Sequence, residues 1–271
     1  MAADQGIAKA QHNLGIMYEN GRGVAQDYSA AMKWFRMAAD QGEAQAQYNL
    51  GVIYKSGQGV AQDYSAAMKW CRMAAGQGHA GAQCDLGVMH DNGQGVAQDY
   101  LAAMKWYRMA ADQGDAQAQC NLGNMYAEGQ GVAQDYSAAM KWFRMAADQG
   151  HANAQCNLGV MYSNGHGVAQ DYSAAMKWYR MAADQGDAQA QYNLGFMYKN
   201  GRGVAQDYSA VMKWYRMAAD QGHAEAQCSL GFMYSNGLGV AQDYSAAMKW
   251  CRMAADQGHA QSQFNLGTMY T

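Results

Sequence analysis

Apolar residues recur three and four positions apart along nearly the whole chain, the spacing of amphipathic helices. The first such stretch runs roughly from Ala8 to Asn20, with Ala10, Leu14, Met17 and Tyr18 at helical spacing. Asn20-Gly21-Arg22-Gly23 stops it, because glycine supplies the left-handed backbone that ends a helix. A second stretch starts near Asp27, whose side chain suits a helix N-cap, and continues through Tyr28, Ala31, Trp34, Phe35 and Ala38. Gln41-Gly42 closes it, and the next apolar stretch begins almost at once. Connections this short make consecutive helices antiparallel neighbours, so the pattern predicts helical hairpins.

The hairpin repeats. Trp34, Trp70, Trp106, Trp142, Trp178, Trp214 and Trp250 follow one another at a constant step of 36. Full units run over residues 7–42, 43–78, 79–114, 115–150, 151–186, 187–222 and 223–258, with a half unit at 259–271 and the tail of an earlier unit at 1–6. The chain thus reads as a single array over 1–271, either an excerpt of a longer one or an array with unusual caps. The step excludes heptads and does not suit β-propeller blades, so the predicted fold is an all-α solenoid of stacked helix-turn-helix units.

Composition sharpens this picture. All of the 22 Met but Met1, all of the 32 Gly but Gly76 and Gly81, and the absence of Pro follow the repeat in phase. A net charge of −3 offers no basic footprint for nucleic acid, and no apolar run reaches membrane-span length. Met1-Ala2-Ala3-Asp4-Gln5-Gly6 lacks the regions of a signal peptide, which favours a cytoplasmic location and leaves a secreted or periplasmic one open. Most charge falls in constant columns. Lys33, Arg36 and their equivalents belong by this reading to the solvated outer face, and Asp27 to a cap.

The segments L-G-x-M-Y, N-G-x-G-V, Q-D-Y-x-x-A and W-[FY]-R-x-A-A resemble the Sel1-like repeat family, tetratricopeptide-like α/α solenoids. One departure is constant: Ala25, Ala61 and their equivalents stand where that family commonly has Pro. The resemblance implies a right-handed superhelix and an adaptor or scaffold role in protein complexes, with first helices lining a concave groove.

Comparison of the eight first helices shows where that groove could carry specificity. Four columns vary, those of Lys9, His12, Ile16 and Glu19, and they form one stripe opposite Leu14 and Tyr18. The stripe holds Tyr48, Tyr192, Phe196, Phe232 and Phe264, and isolated cations such as Lys55 and Lys199. An amide ladder runs beside it: Asn13, Asn49, Asn121, Asn157, Asn193 and Asn265, broken by Asp85 and Ser229. Asn offers donor and acceptor together, so such a ladder can hold a peptide backbone, or else bond its neighbouring helix. Asn121 and Asn124 resemble the two Asn of a peptide-binding tetratricopeptide helix. The candidate partner-binding residues are therefore Asn13, Tyr48, Asn49, Lys55, Asn121, Asn124, Asn157, Tyr192, Asn193, Phe196, Lys199, Phe232 and Asn265. The few charges in the stripe, of mixed sign, argue against a strongly acidic or basic ligand, while isolated Lys contacts to a C-terminal carboxylate stay open.

No chemistry-bearing constellation converges. His79, His151, His223 and His259 share a column at the helix start. Stacked repeats would hold them roughly 10 Å apart, too far for one zinc ion. The six Cys read as apolar fillers, with a Cys71–Cys84 disulfide as the alternative. Gly21-x-Gly23 lacks the strand and Lys of a phosphate loop. The expectation is a protein- or peptide-binding scaffold with no metal, cofactor or enzymatic activity. Its first alternative is a structural array stacking end to end through Leu266, Met269 and Tyr270, and a hydrolase is a remote one.

Overall fold

The computed structural model describes Ala3 and residues 6–269, excluding the side chains of Asn265 and residues 267–269. The described residues form fifteen helices and no strands, gathered in two compact units, residues 1–135 and 136–271. The first unit holds α1 (Ala8–Asn20), α2 (Tyr28–Asp40), α3 (Ala44–Ser56), α4 (Tyr64–Gly76), α5 (Ala80–Asn92), α6 (Tyr100–Ala111) and α7 (Ala116–Glu128). The second holds α8 (Tyr136–Asp148), α9 (Ala152–Asn164), α10 (Tyr172–Asp184), α11 (Ala188–Asn200), α12 (Tyr208–Asp220), α13 (Ala224–Asn236), α14 (Tyr244–Asp256) and α15 (Ala260–Met269).

Within each unit every helix packs on the next one in sequence, and the first helices also touch one another, α3 on α5, α5 on α7 and α9 on α11. Small residues make this possible. Ala31, Ala38, Ala39 and Ala46 are fully buried around Phe35, Leu50 and Ile53 in the first unit. Ala175, Ala182, Ala183 and Ala190 do the same around Tyr179, Leu194 and Trp214 in the second. Closest approach is at the mid-helix glycine: a Cβ on Gly15 would lie 2.6 Å from the Phe35 ring, and Gly87, Gly159 and Gly195 meet Tyr107, Tyr179 and Tyr215 likewise.

The loop inside each hairpin ends the first helix on a left-handed glycine, such as Gly21, and starts the second on an Asp cap, Asp27 accepting from the Ala30 N–H at 3.0 Å. A second glycine seats the loop on the preceding hairpin. Gly95 combines φ +72° with a position where any Cβ would meet the Tyr64 backbone at 2.8 Å. Without Pro, a glutamine anchors the loop: Gln62, Gln170 and Gln206 each donate to the carbonyl seven residues back, on Lys55, Ser163 and Lys199, at 2.7 Å.

Two networks that the sequence reading did not foresee lock hairpin to hairpin. Gln47 and Gln191 are buried in first helices and donate to the Ala39 and Ala183 carbonyls at 3.1 and 3.2 Å. Their own oxygens accept from Gln77 and Gln221 in the next turn, each at 2.8 Å. The second network corrects the assignment to a solvated face at Arg36 and Arg180, which are half-buried, while Arg72, Arg108, Arg144, Arg216 and Arg252 stay exposed as expected. Arg36 donates to the Tyr54 hydroxyl at 3.0 Å and lies 4.7 Å over the Trp70 ring, and Arg180 does the same with Tyr198 and Trp214. A planar guanidinium can stack and hydrogen-bond together, which turns a surface charge into a junction.

Candidate functional site

The amide ladder is bonded along its own helices. Asn49, Asn121 and Asn193 accept from Gln45, Gln117 and Gln189, one turn earlier, at 3.1, 2.9 and 3.2 Å. Their repeats also link backwards: Asn49 Nδ2 lies 3.1 Å from His12 Nε2, and Asn193 Nδ2 donates to Cys156 Sγ at 3.9 Å. An amide has two donor hydrogens and two acceptor lone pairs. These contacts therefore orient Asn49 and Asn193 while leaving each a donor and an acceptor. Asn13 is exposed, Asn121, Asn124 and Asn157 are half-buried, and the Asn265 side chain lies outside the described residues.

The His12 column is a correction to the stripe. Cys84, Cys120 and Cys156 are buried, and so is His12, because this column turns into the packing between hairpins. Tyr48 and Tyr192 are half-buried and use their faces locally: Tyr48 stacks on His79 at 4.5 Å, and Tyr192 on His223 at 4.9 Å and on Tyr215 at 5.3 Å. Lys55 is also engaged, pairing with Asp85 at 2.7 Å. By contrast Phe196 and Phe232 are exposed, and the Lys199 ammonium sits 5.7 Å from the centre of the Phe232 ring.

The second unit brings several predicted residues to one place. Between α9 and α11 lies a cavity of about 300 Å³ lined by Asn157, Asn193, Phe196, Gln189, Ser163 and Arg202, with Cys156 and Tyr179 beneath. The Arg202 guanidinium is held over Phe196 and Tyr172, at 5.3 and 5.4 Å. In the first unit Asn121 and Asn124 share α7, where Asn121 also bonds the Tyr107 hydroxyl. Sequence reasoning missed Arg202, whereas Gln189 and Ser163 fall in its variable columns of Lys9 and Glu19 without being named as candidates. Arg202 falls in a variable loop column that reads Arg22, Gln58, Gln94, Gln130, His166, Arg202 and Leu238, a signal open to inspection.

All six thiols are free, and burial pushes Cys71 and Cys120 up to about 12, so they stay protonated and weakly nucleophilic. Cys71 sits against the Gly51 backbone instead of bridging to Cys84. Among the described residues no three His, Cys, Asp or Glu side chains converge on one point, and no helix is long and apolar enough to cross a membrane. The His column caps helices: His79 and His223 accept through Nδ1 from the Ala82 and Ala226 N–H groups at 3.1 and 3.3 Å.

A profile described as Sel1 repeat matches residues 8–43, 44–79, 80–115, 116–151, 152–187, 188–223 and 224–259 in succession. Among solved structures, a protective antigen of uropathogenic Escherichia coli with an SLR fold is 41% identical, with a TM-score of 0.85 over 99% of this chain. The chain spans 58% of that protein's length. A Sel1 repeat protein of Oxalobacter formigenes is 36% identical, with a TM-score of 0.82, and the match covers 98% of this chain and 77% of that one. An immunity protein of Pseudomonas aeruginosa shares the fold at 20% identity, with a TM-score of 0.54 over 80% of this chain and 83% of that one. The chain has no match among curated proteins.

Proposed function

Because the chain belongs to the Sel1 repeat family, whose members are generally protein-interaction scaffolds and typically not enzymes, we propose that it is a scaffold that holds an extended peptide segment of a protein partner on its first helices. The observation that carries this reading is the cavity between α9 and α11, lined by Asn157 and by the oriented amide of Asn193, beside exposed Phe196. An amide with a spare donor and acceptor, as at Asn193, matches the alternating N–H and C=O groups of an extended main chain, and an exposed aromatic beside it adds apolar burial. Other predicted residues extend the same mode: Asn13, Asn49, Asn121 and Asn265 as ladder members, Asn124 as a second amide on α7, and Phe232 as a second aromatic.

Selection from a displayed peptide library tests it. Selected peptides should lose at least about tenfold in affinity for an Asn157→Ala/Asn193→Ala double variant, the cost of roughly one to two peptide hydrogen bonds. Circular dichroism of that variant should be unchanged. Peptides that bind the variant and the wild type equally overturn the assignment.

End-to-end stacking is the second reading, and exposed Phe264 on α15 favours it. Of the residues first proposed for it, Leu266 is half-buried, while Tyr270 and the Met269 side chain lie outside the described residues. Light scattering that rises with concentration in the wild type and not in Phe264→Glu supports stacking; flat scattering overturns it.

A further inference from the structure

Lys55 on α3 and Lys199 on α11 occupy the same position in two repeats, each seven residues after a tyrosine that stacks on the following repeat's histidine, Tyr48 on His79 and Tyr192 on His223. They differ in what they meet. Lys55 donates to Asp85 Oδ1 at 2.7 Å, and Asp85 stands at the ladder position of the following repeat. After Lys199 that position is Ser229, whose hydroxyl bonds Tyr192 and Tyr215 and carries no charge. Among the described residues Lys199 and Arg202 enter no ion pair, and each rests against an aromatic ring, Phe232 and Phe196. The acid nearest in sequence on α13, Glu225, lies 3.4 Å from His223 Nδ1. One repeat thus neutralises its lysine from within, and the other supplies no carboxylate to its two cations.

We infer that the segment held by the second unit carries an acidic side chain whose carboxylate pairs with Lys199 as Asp85 pairs with Lys55. This rests on the reading that the α9–α13 face binds an extended peptide. Lys199 lies six residues beyond Asn193, roughly 9 Å along the helix. That is within the joined reach of a lysine and a glutamate when the peptide backbone lies on the Asn193 amide. Arg202, folded back over Phe196, lines the α9–α11 cavity with Asn193 and adds a second positive charge along the peptide's path, and its planar fork suits a carboxylate. Desolvation by neighbouring rings strengthens such a pair relative to one in open water.

The test uses the full chain and arrays of N-acetylated, C-amidated nonapeptides, random except for a central Glu, Gln or Lys. Wild type should be retained at least about fivefold more on the Glu array than on the Gln array, the scale of a partly exposed ion pair. Ser229→Asp should abolish that preference by supplying the internal carboxylate, with helicity and melting temperature retained. Lys199→Gln, a milder surface change, should abolish it independently, while Lys55→Gln should leave it intact. Retention without a Glu preference overturns the acidic-ligand inference and spares peptide binding. A Glu preference that survives both Ser229→Asp and Lys199→Gln also overturns it, as does binding confined to parallel arrays with a free C-terminal carboxylate. Retention on no array overturns the peptide reading as well.

Discussion

The residue preceding each first helix is chemically variable, yet its work is constant. Glu43, His79, Asp115, His151, Asp187, His223 and His259 each accept the backbone N–H three residues on, and only Ile7 makes no such side-chain bond. A histidine can do this only when Nδ1 is unprotonated. Burial holds His79 and His223 below the ordinary imidazole value, against the opposing pull of Glu43 and Asp85 on the first and of Glu225 and Asp187 on the second. In the window between that depressed value and about 6.5 the unfolded chain binds more protons than the folded one, so stability falls as pH falls. Thermal melts should therefore drop between pH 7.5 and 5. A His79→Asp/His223→Asp variant, using the cap present at Asp115 and Asp187, should show a smaller drop; an equal drop in both proteins contradicts the assignment. Gly87 supplies a second residue-scale test. Alanine there gains about 1 kcal/mol of helix propensity but overpacks the buried Tyr107 ring, typically about 1–3 kcal/mol. Gly87→Ala should lower stability by up to about 2 kcal/mol in urea unfolding, whereas exposed Gly76→Ala, with nothing near its Cβ, should raise it.

Between elements, each hairpin is held to the next by polar contacts as well as by alanine packing. Gln191 bonds the Ala183 carbonyl and the Gln221 amide, so it closes the turn between α10 and α11 and reaches the end of α12. Leucine there removes both hydrogen bonds, each worth about 0.5–1.5 kcal/mol, while the Ala183 carbonyl keeps the Gly186 N–H. Gln191→Leu should cost about 1–3 kcal/mol, read from denaturant midpoints, although it makes the core more apolar. The helices themselves were legible in the sequence: α1 spans Ala8–Asn20 and the caps fall on Asp27 and its equivalents, as spacing and cap chemistry predicted. The junctions were less legible. Gln47, Gln191 and Arg36 are constant polar columns that look like solvated surface, and their partners lie in other helices, where helical periodicity carries no information.

For the whole molecule, contacts within each unit run mainly between sequence neighbours, which makes stability nearly a sum over hairpins and their junctions. Removing residues 187–222 should leave ellipticity per residue unchanged and reduce the urea m-value roughly in proportion to chain length. The same deletion removes Lys199, Arg202 and Asn193, so the Glu preference should vanish while the shortened array stays folded. A collapse of helicity on deletion would show that the hairpins are not interchangeable.

The sequence by itself determined the repeat, the helix pairs, their caps and the identity of the amide ladder, because these depend on spacings of a few residues along one chain. It also singled out Asn157, Asn193 and Phe196, which the fold brings together around one cavity. Only the tertiary structure decided which variable columns face outward. His12 and three of the cysteines turn inward, since neighbouring first helices bury one edge of the stripe. It likewise decided which lysine is neutralised, because Lys55 and Asp85 are 30 residues apart and meet only when one hairpin is laid against the next. Pairing across a junction depends on the geometry of two helices at once, and no pattern within either helix specifies it.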